Sequence, residues 1–224
     1  MRPSGLGEVQ VPARLWLLEG LPGAGKTSAA RRLAEMCDDL RLPARWWPEE
    51  AKDHPATPSA LRRRSADPDF ADLCVLSFAE LVHREDGVLI LEGSAFQSTV
   101  RFMFANGWRE PCLGAYLAKW ASVVTAAQPR ILLFRVDDVP GHFEQVVATR
   151  GQPWIGKLVA YVERTPVALA NDWRGFQGFL RFWDAYQRLI LDLAIEVKCP
   201  VLELQGWREG RGFAADDAFA FLNQ

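Results

Sequence analysis

The sequence predicts an α/β protein built on a doubly wound, five-stranded parallel sheet flanked by helices. Three observations predict it. Short apolar runs alternate along the chain with stretches of helical periodicity, as strands joined by crossover helices do. The first apolar run ends in a glycine-rich turn, EGLPGAGKT at residues 19–27, which leads directly into an amphipathic stretch. Finally, 224 residues, 49% of them apolar, furnish one sizeable core but are short for two.

Taken in order, strands are expected over 14–18, 44–47, 88–91, 131–136 and 201–204, the apolar runs that alternate with the helical stretches. Helices are expected over 27–40, 70–83, 97–106, 111–127, 141–149, 175–197 and 215–222. In the longest, Phe176, Phe179, Leu180, Trp183, Tyr186, Leu189, Ile190 and Leu193 recur at three- and four-residue steps, which describes a core face rather than a row of aromatic ligands. Two segments break the pattern. Residues 48–69, with four prolines and mostly polar side chains, read as a loop over the sheet's edge, where α/β proteins gather their ligands. Residues 150–166, basic, aromatic and weakly periodic, read as a mobile lid. The whole chain, 1–224, reads as one domain, with residues 1–12 a loose tail.

Composition excludes several classes. A net charge of −2 gives no general attraction to nucleic acid or to an anionic membrane surface. No apolar run approaches the roughly 18 residues of a membrane span, and the N-terminus lacks a signal peptide's apolar segment, so a cytoplasmic protein is expected. Cys37, Cys74, Cys112 and Cys199 show no C-x-x-C spacing, which leaves them as core or near-surface thiols rather than metal ligands or disulfides.

The chemistry starts at residues 20–27, where Gly20, Gly25, Lys26 and Thr27 satisfy G-x-x-x-x-G-K-[ST] between a strand and a helix. In such a turn the backbone of Gly20, Pro22, Gly23, Ala24 and Gly25 curls so that N–H groups face phosphate oxygens. The start of the helix, through Ser28, adds its partial positive charge. Lys26 would neutralise the β- and γ-phosphates and the Thr27 hydroxyl would ligate Mg²⁺. A nucleoside triphosphate is the expected ligand. A GTP switch is disfavoured: DVPG at 138–141 follows a strand, yet no N-K-x-D exists to read guanine. A motor ATPase is disfavoured too, because VLILEGS at 88–94 ends in Glu92 with no second acid beside it.

The chain resembles the P-loop kinase superfamily of nucleoside, nucleotide and small-molecule phosphotransferases, most closely an uncharacterised bacterial branch. The residues that carry the likeness are EGLPGAGKT, the Glu49–Pro55 loop, LEG…FQ from Glu92 to Gln97, and RG..W from Arg150 to Trp154. The resemblance implies a P-loop NTPase fold with a lid, ATP and Mg²⁺ as cofactors, and γ-phosphoryl transfer to a small-molecule hydroxyl. It also implies an acidic base after the second strand, at Glu49 or Glu50. At Glu92, related nucleoside kinases follow the acid with Arg or Ser; here Ser94 is present and the arginine is not. Glu92 is thereby open to three roles: holding Mg²⁺, orienting the acceptor, or acting as base. Arg150, with Lys157 and Arg164 behind it, matches the lid arginines that spread the charge of the transferring group.

Four residues or groups take blander readings. His54 is expected to pack its loop, Glu19 to be an acidic partner or a structural group, and Arg62–Arg64 to form a solvated run. Trp46, Trp47, Trp108 and Trp154 hint at base stacking, but the net charge makes a small acceptor fit better than nucleic acid. The other function left standing is an NTP-binding regulatory or nucleic-acid-associated ATPase without a small-molecule acceptor, and a homodimer stays open.

Overall fold

A computed structural model of the chain describes residues 13–205 and 215–224; the expected N-terminal tail lies outside the described residues. Five strands, β1 (Leu15–Gly20), β2 (Ala44–Trp47), β3 (Val88–Glu92), β4 (Pro129–Arg135) and β5 (Val201–Gln205), form one parallel sheet in the order β2-β3-β1-β4-β5. The expected fold class is the observed one, with strand ends displaced by no more than two residues.

β1 and β3 are buried along their whole length and β4 along most of it, which is why they read as unbroken apolar runs. β1 lies at the centre, with Leu18 beside Glu92 of β3 and Gly20 beside Phe134 of β4. The chain leaves β1 toward one half of the sheet and returns on its other side at β4. The crevice at β1's carboxyl end is therefore the topological switch point, where open α/β sheets bind ligands.

Helices cover both faces: α1 (Lys26–Asp39), α2 (Ser59–Arg62), α3 (Phe70–Arg84), α4 (Arg101–Ala105), α5 (Glu110–Val124), α6 (Val139–Arg150), α7 (Gln152–Val162), α8 (Pro166–Ala170), α9 (Gly175–Glu196) and α10 (Ala215–Leu222). The aromatic face of α9 is core. Phe179 and Trp183 pack on Phe143 of α6, and Phe182 packs on Phe104 of α4, with centroids 4.7, 6.1 and 5.2 Å apart. Gln187, buried on the same face, donates to the Val136 carbonyl at 2.7 Å and accepts from its N–H at 2.9 Å. This satisfies the backbone just past β4 and fixes α9 against the sheet's working end.

Three expectations need correction. Residues 150–166 are not irregular: after Gly151, which breaks α6 with φ of 84°, the chain forms α7 and then enters α8. Residues 48–69 hold the short helix α2 rather than loop alone. The helix expected over 97–106 starts two residues earlier as a π-helical turn, Ala95–Val100, before continuing as α4. All four thiols are free, Cys37 and Cys74 buried, Cys199 partly buried and Cys112 exposed. No described helix is long and apolar enough to cross a membrane.

Candidate active site

Gly20, Pro22, Gly23, Ala24 and Gly25 form the turn between β1 and α1, and Lys26, Thr27 and Ser28 form the helix's first turn. Gly23 has φ of +82°, and a Cβ there would run into Val146 of α6, so α6 closes over the turn only because this side chain is absent. His142, also on α6, donates from Nε2 to the Pro22 carbonyl at 2.9 Å; burial holds its pKa below the usual histidine value. No side chain caps α1, which leaves the N–H groups of its first turn available to an anion.

Lys26 is 4% exposed, and its ammonium donates to Gly20 O at 3.1 Å, Leu21 O at 3.0 Å and Gln97 Oε1 at 2.8 Å. Glu49 Oε2 stands 3.6 Å away. Beside this pair, Thr27 Oγ1 donates to Glu92 Oε1, while Glu92 Oε2 is buried without a partner. Burial, first, and the charge of Glu49, to a smaller degree, raise the Glu92 carboxyl's pKa against the pull of Thr27 and Lys26.

Distant segments hold these groups in place. Glu19, fully buried, accepts the Ser94 and Ala95 N–H groups on Oε1 (3.0 and 2.7 Å) and that of Gln97 on Oε2 (3.0 Å). It therefore caps the π-helical turn, a structural role, with its pKa pushed up to about 7 by burial. Arg62 is not part of a solvated run: it donates to Glu49 O at 2.9 Å and Thr57 O at 2.7 Å, tying α2 to the backbone of the acidic loop. His54 packs the same loop as expected. It is buried and accepts from Ala56 and Thr57 N–H on Nδ1, with a pKa lowered to about 4 by burial and by Arg62.

Lys26, Thr27, Glu49, Glu92 and Gln97 line one cleft of about 1220 Å³, room for more than one small ligand, while Glu19, His54 and Arg62 stand behind its wall. Glu50 lines it too, but is exposed and, among the described residues, forms no ion pair with a lysine. Arg150, exposed at the end of α6, lies with its guanidinium 4.9 Å from the Trp154 ring at the cleft wall. Lys157 and Arg164 are exposed and do not line the cleft, and of the four tryptophans singled out only Trp154 does. Arg101, Phe102, His142 and Tyr161 line it without having been foreseen. Arg101 had one legible signal, its place four residues after Gln97, which on a helix puts both on one face.

No family model matches the sequence, and no curated protein matches it. Solved structures do. A gluconokinase from Sinorhizobium meliloti 1021 superposes with a TM-score of 0.50 at 14% identity, over 94% of this chain and 91% of that one. A shikimate kinase from Bacteroides thetaiotaomicron gives 0.49 at 11% identity, over 92% of this chain and 94% of that one. The gluconokinase likeness, spanning nearly all of both chains, shows that this chain has the fold of the P-loop kinases.

Proposed function

We propose that the chain is an ATP- and Mg²⁺-dependent phosphotransferase that moves the γ-phosphoryl group to a hydroxyl of a small molecule. One arrangement carries the reading. A phosphate-binding turn and its lysine face a carboxylate, Glu49, across 3.6 Å in a cleft with room beyond them for an acceptor. The fold-level likeness to a small-molecule kinase supports the same class.

The loop's backbone N–H groups and the uncapped start of α1 bind the phosphate oxygens. Lys26 exchanges the neutral carbonyls of Gly20, Leu21 and the Gln97 side chain for the β- and γ-phosphates, which bring opposite charge. Thr27 Oγ1 and Glu92 suit Mg²⁺: both offer oxygen, and the buried Glu92 Oε2 lacks any other partner. No group of three or more acids, histidines or cysteines that could hold a metal exists among the described residues, so phosphates and water would complete the shell. When bound there, the ion would offset the charge on the phosphates.

Glu49 takes the proton from the acceptor hydroxyl as its oxygen–phosphorus bond forms and the bond to the ADP oxygen breaks. It is chosen over Glu50 because only Glu49 stands beside Lys26. Arg150 ends α6 with its guanidinium 4.9 Å from the Trp154 ring of α7, so α7 pivoting about Gly151 would shift that ring and swing the guanidinium toward the transferring group, making residues 150–166 a lid built on a helix.

The test is transfer itself. Protein, γ-labelled ATP and a small-metabolite extract should yield labelled phosphate esters, and ADP release should rise with the acceptor. Release that no small-molecule fraction stimulates, but nucleic acid does, would favour the regulatory or nucleic-acid-associated ATPase.

A further inference from the structure

Arg101 has donors that the protein leaves unused. Its Nε donates to Gln97 O at 2.8 Å and its Nη1 to the Tyr161 hydroxyl at 2.9 Å; Phe102 lies against its face, 4.1 Å from the ring centroid. Every one of these partners is neutral. Nη2 has no partner among the described residues, and no described carboxylate stands within 4.0 Å of the guanidinium.

The other arginine of this region is differently placed. Arg62 spends its Nε and Nη2 on Thr57 and Glu49 backbone carbonyls and is not in the cleft wall. Burial lowers its pKa and so does the charge of Arg101, even though Glu49 pulls the other way. Two guanidinium groups therefore act on each other in a partly buried region, and Glu49, the carboxylate that offsets this at Arg62, stands 3.6 Å from Lys26. A half-buried cation held rigid by neutral acceptors, with free N–H groups in a cleft, lacks only its counter-ion.

Taking the phosphotransferase reading as given, we infer that the acceptor carries an oxyanion, a carboxylate or a phosphate, and that Arg101 holds it. Gln97 O and Tyr161 OH fix the guanidinium's plane and leave the two N–H groups of Nη2 to donate to anionic oxygens. The Phe102 and Tyr161 rings, 4.1 and 5.4 Å from the guanidinium carbon, cover part of the group and lower the polarity around a pair formed there. Arg101 thus selects the acceptor, while Lys26 and Glu49 act at its other end.

The experiment splits a small-metabolite extract on an anion exchanger into neutral and anionic fractions before incubation with the wild-type protein and γ-labelled ATP. Acceptor activity should lie in the anionic fraction. Pretreating that fraction with alkaline phosphatase, then removing the phosphatase, separates the sources: lost activity assigns a phosphate, retained activity a carboxylate. In Arg101→Gln the acceptor KM should rise about a hundredfold with the KM for ATP little changed, and Arg101→Lys should recover part of the loss. Acceptor activity in the neutral fraction, with transfer intact, overturns the anionic acceptor but not the kinase. No transfer with any fraction, while nucleotide still binds, overturns both.

Discussion

Gly93→Ala should cripple the proposed phosphoryl transfer while sparing the fold. Gly93 follows β3 with φ of +59°, and its N–H donates to Leu18 O at 2.8 Å. An alanine in that left-handed conformation costs about 1–2 kcal/mol. The added Cβ would meet Glu49 Oε2, Cδ and Cγ at 2.7, 2.8 and 2.9 Å, closer than real contacts allow. All three atoms belong to the far part of a flexible side chain, so the carboxylate moves and the backbone stays. What is lost is the 3.6 Å approach of Glu49 to Lys26. A displacement of about 1 Å at a positioned catalytic group costs on the order of a hundredfold in rate, within the range for losing a general base.

Initial rates of ADP formation at saturating ATP and acceptor should therefore fall about 100-fold, with nucleotide binding nearly unchanged. Because the variant acts through Glu49, the double variant Gly93→Ala/Glu49→Gln should be no slower than Glu49→Gln alone. If Gly93→Ala turned over normally while Glu49→Gln did not, or if the two losses multiplied, the placement of Glu49 by Gly93 would not be what matters.

Lys26→Ala should fold yet lose about 3 kcal/mol or more of transition-state stabilisation; near-normal turnover by the folded variant would remove the phosphate-loop mechanism. Glu92→Gln keeps an acceptor for Thr27 but not the charge, so the Mg²⁺ concentration for half-maximal activity should rise at least tenfold or so in a metal titration; an unchanged curve would dissociate Glu92 from the metal. Arg150→Ala should lower turnover well beyond any change in nucleotide affinity, and hydrogen exchange across 150–166 should slow with a non-hydrolysable ATP analogue and Mg²⁺; equal, strong protection in both states would make α7 a fixed element. Glu19, raised to about 7 from 4.5, binds its proton more tightly when folded, so its contribution to stability falls as pH rises from about 4.5 to 7, whereas His54, lowered to about 4 from 6.5, contributes fully above 6.5 and loses this toward pH 4. In denaturant titrations the stability of Glu19→Gln relative to wild type should climb by up to about 3 kcal/mol from pH 4.5 to 7 and that of His54→Gln should fall similarly from pH 4 to 6.5; pH-independent differences would show that neither group is shifted.

The glycine-rich turn between β1 and α1 and the strands were legible because both are local signals. The turn is a fixed spacing of glycines, lysine and threonine, and strands covered on both faces are continuous apolar runs. α7 was hidden because only Ile155 and Val162 are buried along it, seven residues apart, with Pro153 and Gly156 diluting what periodicity remained. The π-helical turn depends on Glu19, 75 to 78 residues earlier in the chain, which no local pattern reports. Arg62, Arg63 and Arg64 are identical in sequence terms and separate only in space. Arg62 is wrapped by the carbonyls of Thr57 and Glu49, Arg63 is exposed, and Arg64 pairs with Asp67 and Asp69.

The cleft's charges suggest why its two ends want different ligands. Lys26 and Glu49 face each other and largely balance. Glu92 and Arg101 also line the cleft, with opposite charges, yet they do not pair: Glu92 Oε2 and Arg101 Nη2 are each left without a partner among the described residues. Had the fold needed only stability, bringing these two together would have satisfied both. Held apart, the carboxylate sits beside a threonine hydroxyl at the phosphate loop and calls for a cation. The guanidinium sits beside aromatic rings and calls for an anion. On the proposed function a metal-bound nucleotide would answer the first and an anionic acceptor the second, so loss of Arg101 should leave the Mg²⁺ titration untouched and loss of Glu92 should leave the preference for anionic acceptors intact.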